Sequence, residues 1–187
     1  MPGRAELYLD RITQLAGGKE PAFHMVESTH PGRKAITALC LADTPEPGLM
    51  SGFTYGLSTE HDPFWRFGRP ELAITVESDD IGWPIAIAIL AERFRGECPF
   101  SFGNTFEIGE PITAETRMTA FVLFGPAFPI AREEQSIDVG DGLPIILVGC
   151  YPIYSNEKDF ITRRGLKDFW DLDRDIFDVG RGPVVFD

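Results

Sequence analysis

The chain has 187 residues, of which 43% are hydrophobic and 12% aromatic, and this size and composition suit one substantial core. Its 17 basic and 29 acidic residues give a formal net charge of −12. This charge argues against a nucleic-acid or anionic-membrane surface, because both require a positive footprint. We therefore expect a single domain over residues 1–187 that attracts basic partners.

The first half of the chain predicts one helix and three strands. Tyr8, Ile12 and Leu15 have helical spacing, which predicts an amphipathic helix over residues 4–16, ended by a Gly-Gly pair. A loop rich in Pro, His and Gly is expected to follow. Apolar and β-branched residues then predict a hairpin and a third strand, at residues 36–42, 49–57 and 71–77.

Residues 83–95, with the sequence WPIAIAILAERFR, fit both a strand and a helix. Their isoleucines alternate as in a strand, whereas the alanines favour a helix. Pro84 suits the first turn of a helix and Gly96 suits the position just past the last turn. We therefore predict a helix.

The second half predicts further strands and two terminal helices. Short β segments are expected at residues 104–108, 118–124 and 136–139, and the apolar run 144–154 is expected to form a central strand with Pro152 near its end. Ser155 is predicted to cap a helix that stops at Gly165, and residues 166–170 continue with a second helical face. The fold class is therefore α+β, with a mixed or mainly antiparallel central sheet and flanking helices.

The stretch GFTYGLSTEHD, residues 52–62, places a serine, a histidine and an acid within five residues. A nucleophile elbow requires G-x-S-x-G, but Glu60 stands where the second glycine should be, and His61 is too near Ser58 to act as the usual distant partner. We expect Gly56 to permit a tight turn and Ser58 to hydrogen-bond within it. A small serine hydrolase using Ser58, with a histidine brought close by the fold, is kept as the alternative.

Other catalytic and metal-binding patterns fail. The three histidines follow no HExxH or HxH spacing, and the D-x-D-x-D run at residues 171–175 lacks the later glycine and glutamate of a calcium loop. Gly180-Arg-Gly182 is too short for a phosphate-binding loop. We therefore predict no metal, no cofactor and no enzymatic activity.

Location follows from what the sequence lacks. No stretch approaches the roughly 20 apolar residues of a membrane span, and the N-terminus lacks the pattern of a signal peptide. The three cysteines have no CxxC spacing, which is typical of reduced thiols. The predicted location is the cytoplasm, and the cysteines are Cys40, Cys98 and Cys150.

Acidic and aromatic residues meet in the loop Glu60-His-Asp-Pro-Phe-Trp-Arg-Phe67. Complementary charge speeds encounter with a basic partner, and a few aromatic anchors supply most of the affinity of an interface. The alternative interpretation is that the aromatic residues of this loop only cover the sheet. The predicted partner-binding residues are Glu60, His61, Asp62, Phe64, Trp65 and Arg66.

Several short motifs, in one order and spacing, resemble the suppressor of fused family over residues 35–185. The resemblance is to the N-terminal domain of the family and to its short bacterial form. The matching pieces are Tyr55-Gly-Leu-Ser58, Gly68-Arg-Pro-Glu-Leu-Ala-Ile-Thr-Val76, Trp83-Pro84 opening a helix that runs to Phe94, Gly103-Asn-Thr105, and Tyr151-Pro-Ile-Tyr154 followed by Glu157.

The resemblance implies a binding function without catalysis. Eukaryotic members sequester a transcription factor by gripping a short peptide between two domains, and the peptide site maps loosely onto Thr59 to Arg69 of this chain. The short bacterial members are thought to be immunity proteins against polymorphic toxins. The leading hypothesis is thus an immunity, antitoxin-type or sequestering protein that occludes a protein partner such as a basic toxin. A scaffold subunit of a larger assembly is the other alternative, and the sequence leaves the oligomeric state open.

Overall fold

The computed structural model describes residues 2–186, and every strand in that range belongs to one sheet. The strands are β1 (Ala22–Val26), β2 (Ile36–Leu41), β3 (Leu49–Tyr55), β4 (Arg69–Glu77), β5 (Thr105–Glu107), β6 (Ala120–Phe124), β7 (Ser136–Ile137) and β8 (Ile145–Ile153). The helices are α1 (Arg4–Leu15), α2 (Gly82–Phe94), α3 (Ser155–Arg164) and α4 (Leu166–Trp170), with short 3-10 turns at Leu57–Thr59 and Arg132–Glu134.

The sheet is mixed and mainly antiparallel. Its strands lie in the order β1-β2-β3-β4-β8-β6-β5, and β7 pairs with the first residues of β8. β4 and β8 run parallel, whereas the other described pairs are antiparallel. The long apolar strand β8 is therefore central, as its composition predicts, because strands cover both of its edges.

Helices cover both faces of the sheet. The sequence of α2 buries Trp83, Ile87 and Leu90 against β2, β3 and β4, which gives one core cluster. On the opposite face, Tyr8 and Ile12 of α1 pack on a second cluster that includes residues of β2, β3 and β8. A third cluster lies between α3, α4 and the paired strands β6 and β8. These layers confirm the α+β prediction.

Two sequence predictions were wrong in detail. Residues 22–26 lie in the segment expected to be a loop, but they form β1, which pairs along its length with β2. The helix α3 is not capped by Ser155, because Tyr154 is its N-cap residue and the Glu157 carboxylate accepts a hydrogen bond from the Tyr154 backbone at 3.0 Å. The hydroxyl of Ser155 instead donates to Glu107.

Two further findings concern the helices and the cysteines. None of the helices described is long and apolar enough to span a membrane. The three cysteines are free thiols, and Cys98 is the more exposed of them while the other two are buried.

Candidate functional site

The turn after β3 shapes one end of the sheet. Gly56 has φ +129°, a left-handed conformation that favours glycine, and a Cβ there would lie 3.0 Å from the backbone oxygen of Ala35. The chain then enters the 3-10 turn and leaves the sheet as the loop 60–68. The tight turn expected at Gly56 is confirmed.

Glu71 holds this turn in place from the neighbouring strand β4. Its side chain is completely buried, and Oε1 accepts hydrogen bonds from the Ser58 hydroxyl at 2.6 Å, the Ser58 backbone N–H at 2.9 Å and the Gly56 backbone N–H at 2.8 Å. Oε2 accepts a bond from the Thr54 hydroxyl at 2.6 Å. Burial raises the pKa of the Glu71 carboxyl, and these hydrogen bonds oppose the rise.

Ser58 is therefore a structural residue in this geometry. It is fully buried, and its hydroxyl proton is directed at a carboxylate. A catalytic serine needs a base in hydrogen-bond reach and an exposed oxygen, as in the triad arrangement. Within the described range, no histidine contacts Ser58: His30 bonds Glu92 through Nδ1 at 3.0 Å, and His24 lies on β1.

The loop 60–68 presents aromatic side chains in two different ways. Trp65 is 8% exposed, and its Nε1 donates to the backbone oxygen of Pro99 at 2.9 Å. Phe64 is 72% exposed and Phe67 is 89% exposed. The interpretation that these rings only cover the sheet thus holds for Trp65, whereas the two phenylalanines are displayed to solvent.

These aromatic residues line a cleft of about 490 Å³, which we call the aromatic cleft. The loop 60–68 forms one wall and the segment 99–102 the other, while Pro70, Ile146 and Val148 form the floor. Gly68 lies directly on this floor, since a Cβ there would approach Ile146 Cγ1 to 2.3 Å. Phe102, on the opposite wall, is 50% exposed. A protein rarely displays several large apolar side chains together without a use for them.

The charges around the aromatic cleft are not equally free. Glu60 lies 3.7 Å from both Arg33 and Arg95, so its charge is already offset within the chain. Asp62 accepts a hydrogen bond from the Phe64 backbone N–H at 2.8 Å, which orders the loop. His61 and Arg66 are exposed. The structure thus brings all six predicted residues into one loop but gives Glu60, Asp62 and Trp65 internal contacts.

Two buried ionic groups escaped sequence reasoning. Glu92 and Arg95, both at the end of α2, form an ion pair, and Glu92 also accepts a bond from the backbone of Thr29 at 2.7 Å. Glu157 of α3 is fully buried and pairs with both terminal nitrogens of Arg181, at 2.6 and 2.8 Å. The sequence signal for each pair was weak: Glu92 and Arg95 have ordinary i,i+3 helical spacing, and Glu157 and Arg181 are too far apart in the chain to form a pattern.

Metal binding finds no support in the geometry. Within residues 2–186, no three histidine, cysteine, aspartate or glutamate side chains converge in a way that could hold a metal ion. The acids of the rejected calcium motif serve turns instead: Asp175, for example, accepts a bond from the Phe177 backbone at 2.9 Å. The features that remain are a buried carboxylate that orders a turn and an open aromatic cleft beside it.

The fold and the cleft define an α+β domain that displays an apolar surface at one end of its sheet. The chain belongs to the suppressor of fused family, whose model, described as Suppressor of fused protein (SUFU), matches residues 32–182. The resemblance noted in the motifs is thereby confirmed. No curated protein matches the sequence significantly.

Solved structures of the same family share the fold at low sequence identity. A putative suppressor of fused homologue from Neisseria gonorrhoeae has 16% identity and a TM-score of 0.72, with 97% of this chain and 96% of that chain covered. A structure described as the Sufu-Fu complex has 10% identity and a TM-score of 0.71, with 98% and 93% covered. Drosophila Suppressor of Fused has 12% identity and a TM-score of 0.69, and this chain spans 51% of its length.

Proposed function

We propose that this protein is a non-catalytic binding domain that sequesters a partner protein in the cytoplasm by covering part of its surface. The observation that carries the proposal is the aromatic cleft, where Phe64 and Phe67 of the loop 60–68 are 72% and 89% exposed. Interfaces draw most of their affinity from a few aromatic anchors set beside pockets. The structure of a related fold in a complex of Sufu with Fu supports the same type of function.

The loop is ordered well enough to serve as a binding site. Trp65 is anchored to Pro99, and Asp62 holds the backbone of Phe64, so the exposed rings project from a fixed base. Such preorganisation lowers the entropy cost of association. Phe64, Phe67 and Phe102 are the anchors we expect to contact the partner, with His61 and Arg66 at the rim.

The charge of the protein supports a basic partner. The formal net charge is −12, and residues 97–141 carry eight acids against two arginines, a local net charge of −6. Complementary charge raises the association rate and suppresses acidic competitors. A basic toxin fits this chemistry, and the protein would then act as its immunity protein or antitoxin.

The experiment is co-purification of the tagged protein with the products of neighbouring genes from its native host, followed by calorimetric titration with the partner. We expect Phe64→Ala combined with Phe67→Ala to weaken binding by about 30-fold, equivalent to about 2 kcal/mol. Phe186→Ala is the matched control, because Phe186 is 83% exposed and does not line the cleft. Failure to recover any protein partner, or equal affinity for both variants, would contradict the proposal.

A further inference from the structure

The strand β1 is an open sheet edge that lacks the usual protection. It stands at one end of the strand order, and no strand within residues 2–186 pairs with its outer side. Natural edge strands are shielded by charged residues, proline, bulges or very short length. The sequence of β1, AFHMV, has no charged residue and no proline, and all five of its residues pair with β2 in regular register.

The two edges of the sheet differ in this respect. At the other edge, β5 has three residues and ends in Glu107, which accepts a hydrogen bond from Ser155 and pairs with Lys158. On β1, by contrast, Phe23 is 58% exposed and Met25 is 64% exposed. An unshielded edge with exposed apolar side chains is suited to pairing with another strand.

The two large exposed apolar side chains of β1, Phe23 and Met25, share one face, and Phe23 borders a groove. Phe23 lines a cavity of about 310 Å³ together with Ala5 and Leu9 of α1. Met25 lies two residues further along the strand, so both side chains point to the α1 face. The helix α1 covers the neighbouring strands but leaves these two residues in solvent.

We propose that β1 pairs with β1 of a second copy of this chain, antiparallel about a two-fold axis through His24. Directly opposed residues of an antiparallel pair point to the same face of the sheet. The register centred on His24 keeps this match and pairs all five residues of both strands. It places Phe23 opposite Met25 of the second copy, and Met25 opposite Phe23 of the second copy. Sulfur–aromatic contacts of this kind are favourable.

The charges of β1 permit this register. None of the five paired residues is an acid, a lysine or an arginine, so no two like formal charges face each other within the paired strands. The interface is isologous, as closed two-fold dimers require. Because the strand is short and the protein carries a net charge of −12, the dimer forms at high protein concentration and is strengthened by salt.

Sedimentation velocity over a hundredfold range of protein concentration tests the association. We expect a reversible dimer, and we expect Phe23→Lys to lower its association constant by about tenfold. Phe186→Lys is the control, because Phe186 is exposed and belongs neither to β1 nor to the aromatic cleft. A thermal melt of each variant checks folding. A protein that stays monomeric throughout, or a dimer that Phe23→Lys leaves unchanged, would overturn the proposal.

Disulfide crosslinking tests the register independently of that variant. In a Cys98→Ser background, His24→Cys places two thiols opposite each other on the axis and is expected to form a linked dimer under mild oxidation. Glu27→Cys is the matched control, because this register separates its two copies by six residues along the strands, about 20 Å. Equal crosslinking at both positions, or none at position 24 in a sample shown to be dimeric, would exclude the register.

Discussion

Replacing Ser58 by alanine separates the structural role of this residue from a catalytic one. The substitution removes the hydroxyl that donates to Glu71 at 2.6 Å and leaves the Ser58 backbone N–H bond intact. A hydrogen bond to a charged, buried acceptor contributes about 1.5 to 3 kcal/mol. We therefore expect the free energy of unfolding to fall by about 2 kcal/mol, and the melting temperature to fall by about 4 to 8 °C for a chain of this size.

Urea unfolding followed by tryptophan fluorescence measures this change. Ser101→Ala is a suitable control, because Ser101 is exposed and its hydroxyl has no described hydrogen bond, so its effect should stay within about 0.5 kcal/mol. A serine-directed fluorophosphonate probe should leave the wild-type protein unlabelled. Labelling that disappears in Ser58→Ala without a loss of stability would refute the reasoning.

Two further predictions concern the buried ionic groups. Arg181→Met leaves the buried Glu157 carboxylate without its cation and should destabilise the fold by about 3 to 5 kcal/mol in urea unfolding, with partial recovery when Glu157→Gln is added; a loss below about 1 kcal/mol would contradict this. For Glu92, burial raises the pKa, but hydrogen bonds led by those from His30 and Thr29 outweigh burial, so the pKa is lowered overall. Ionised Glu92 therefore stabilises the fold above its ordinary pKa, and this contribution is lost as the pH falls through the lowered pKa. The stability difference between the wild type and Glu92→Gln should be largest near about pH 7 and shrink towards about pH 3, and a constant difference over that range would count against the assignment.

Local sequence signals predicted most of the elements correctly. Pro84 and Gly96 resolved the ambiguous segment in favour of α2, which begins at Gly82 and ends at Phe94. Their effect is local, because proline suits the first helical turn and glycine suits the position after the last. The apolar run ending near Pro152 likewise predicted the central strand β8.

The strand β1 was missed for a physical reason. Four of its five residues are exposed, so the segment has no alternation between a buried and an exposed face. Its extended conformation depends on backbone pairing with β2, which is a tertiary contact. Patterns of hydrophobicity cannot report a strand that contributes little to the core.

The candidate site was likewise predicted from the sequence only in part. The sequence identified the loop after the GLS motif by its composition, but Phe64, Trp65 and Phe67 are equivalent there as bulky aromatic residues. In the folded chain the indole of Trp65 is buried and donates a hydrogen bond to Pro99. The charge of Glu60 is offset because Arg33 and Arg95 lie close to it. These partners lie far along the chain.

The sequence by itself determined the family, the α+β class, the tight turn at Gly56 and the acidic charge of the molecule, because each depends on local residue types or on composition. Tertiary structure decided the role of Ser58, since Glu71 reaches it only when β4 pairs with β3. It also decided the parallel pairing of β4 with β8, which joins segments about 75 residues apart in the chain. Long-range contacts of this kind follow from the packing of the whole sheet, which no short stretch of sequence encodes.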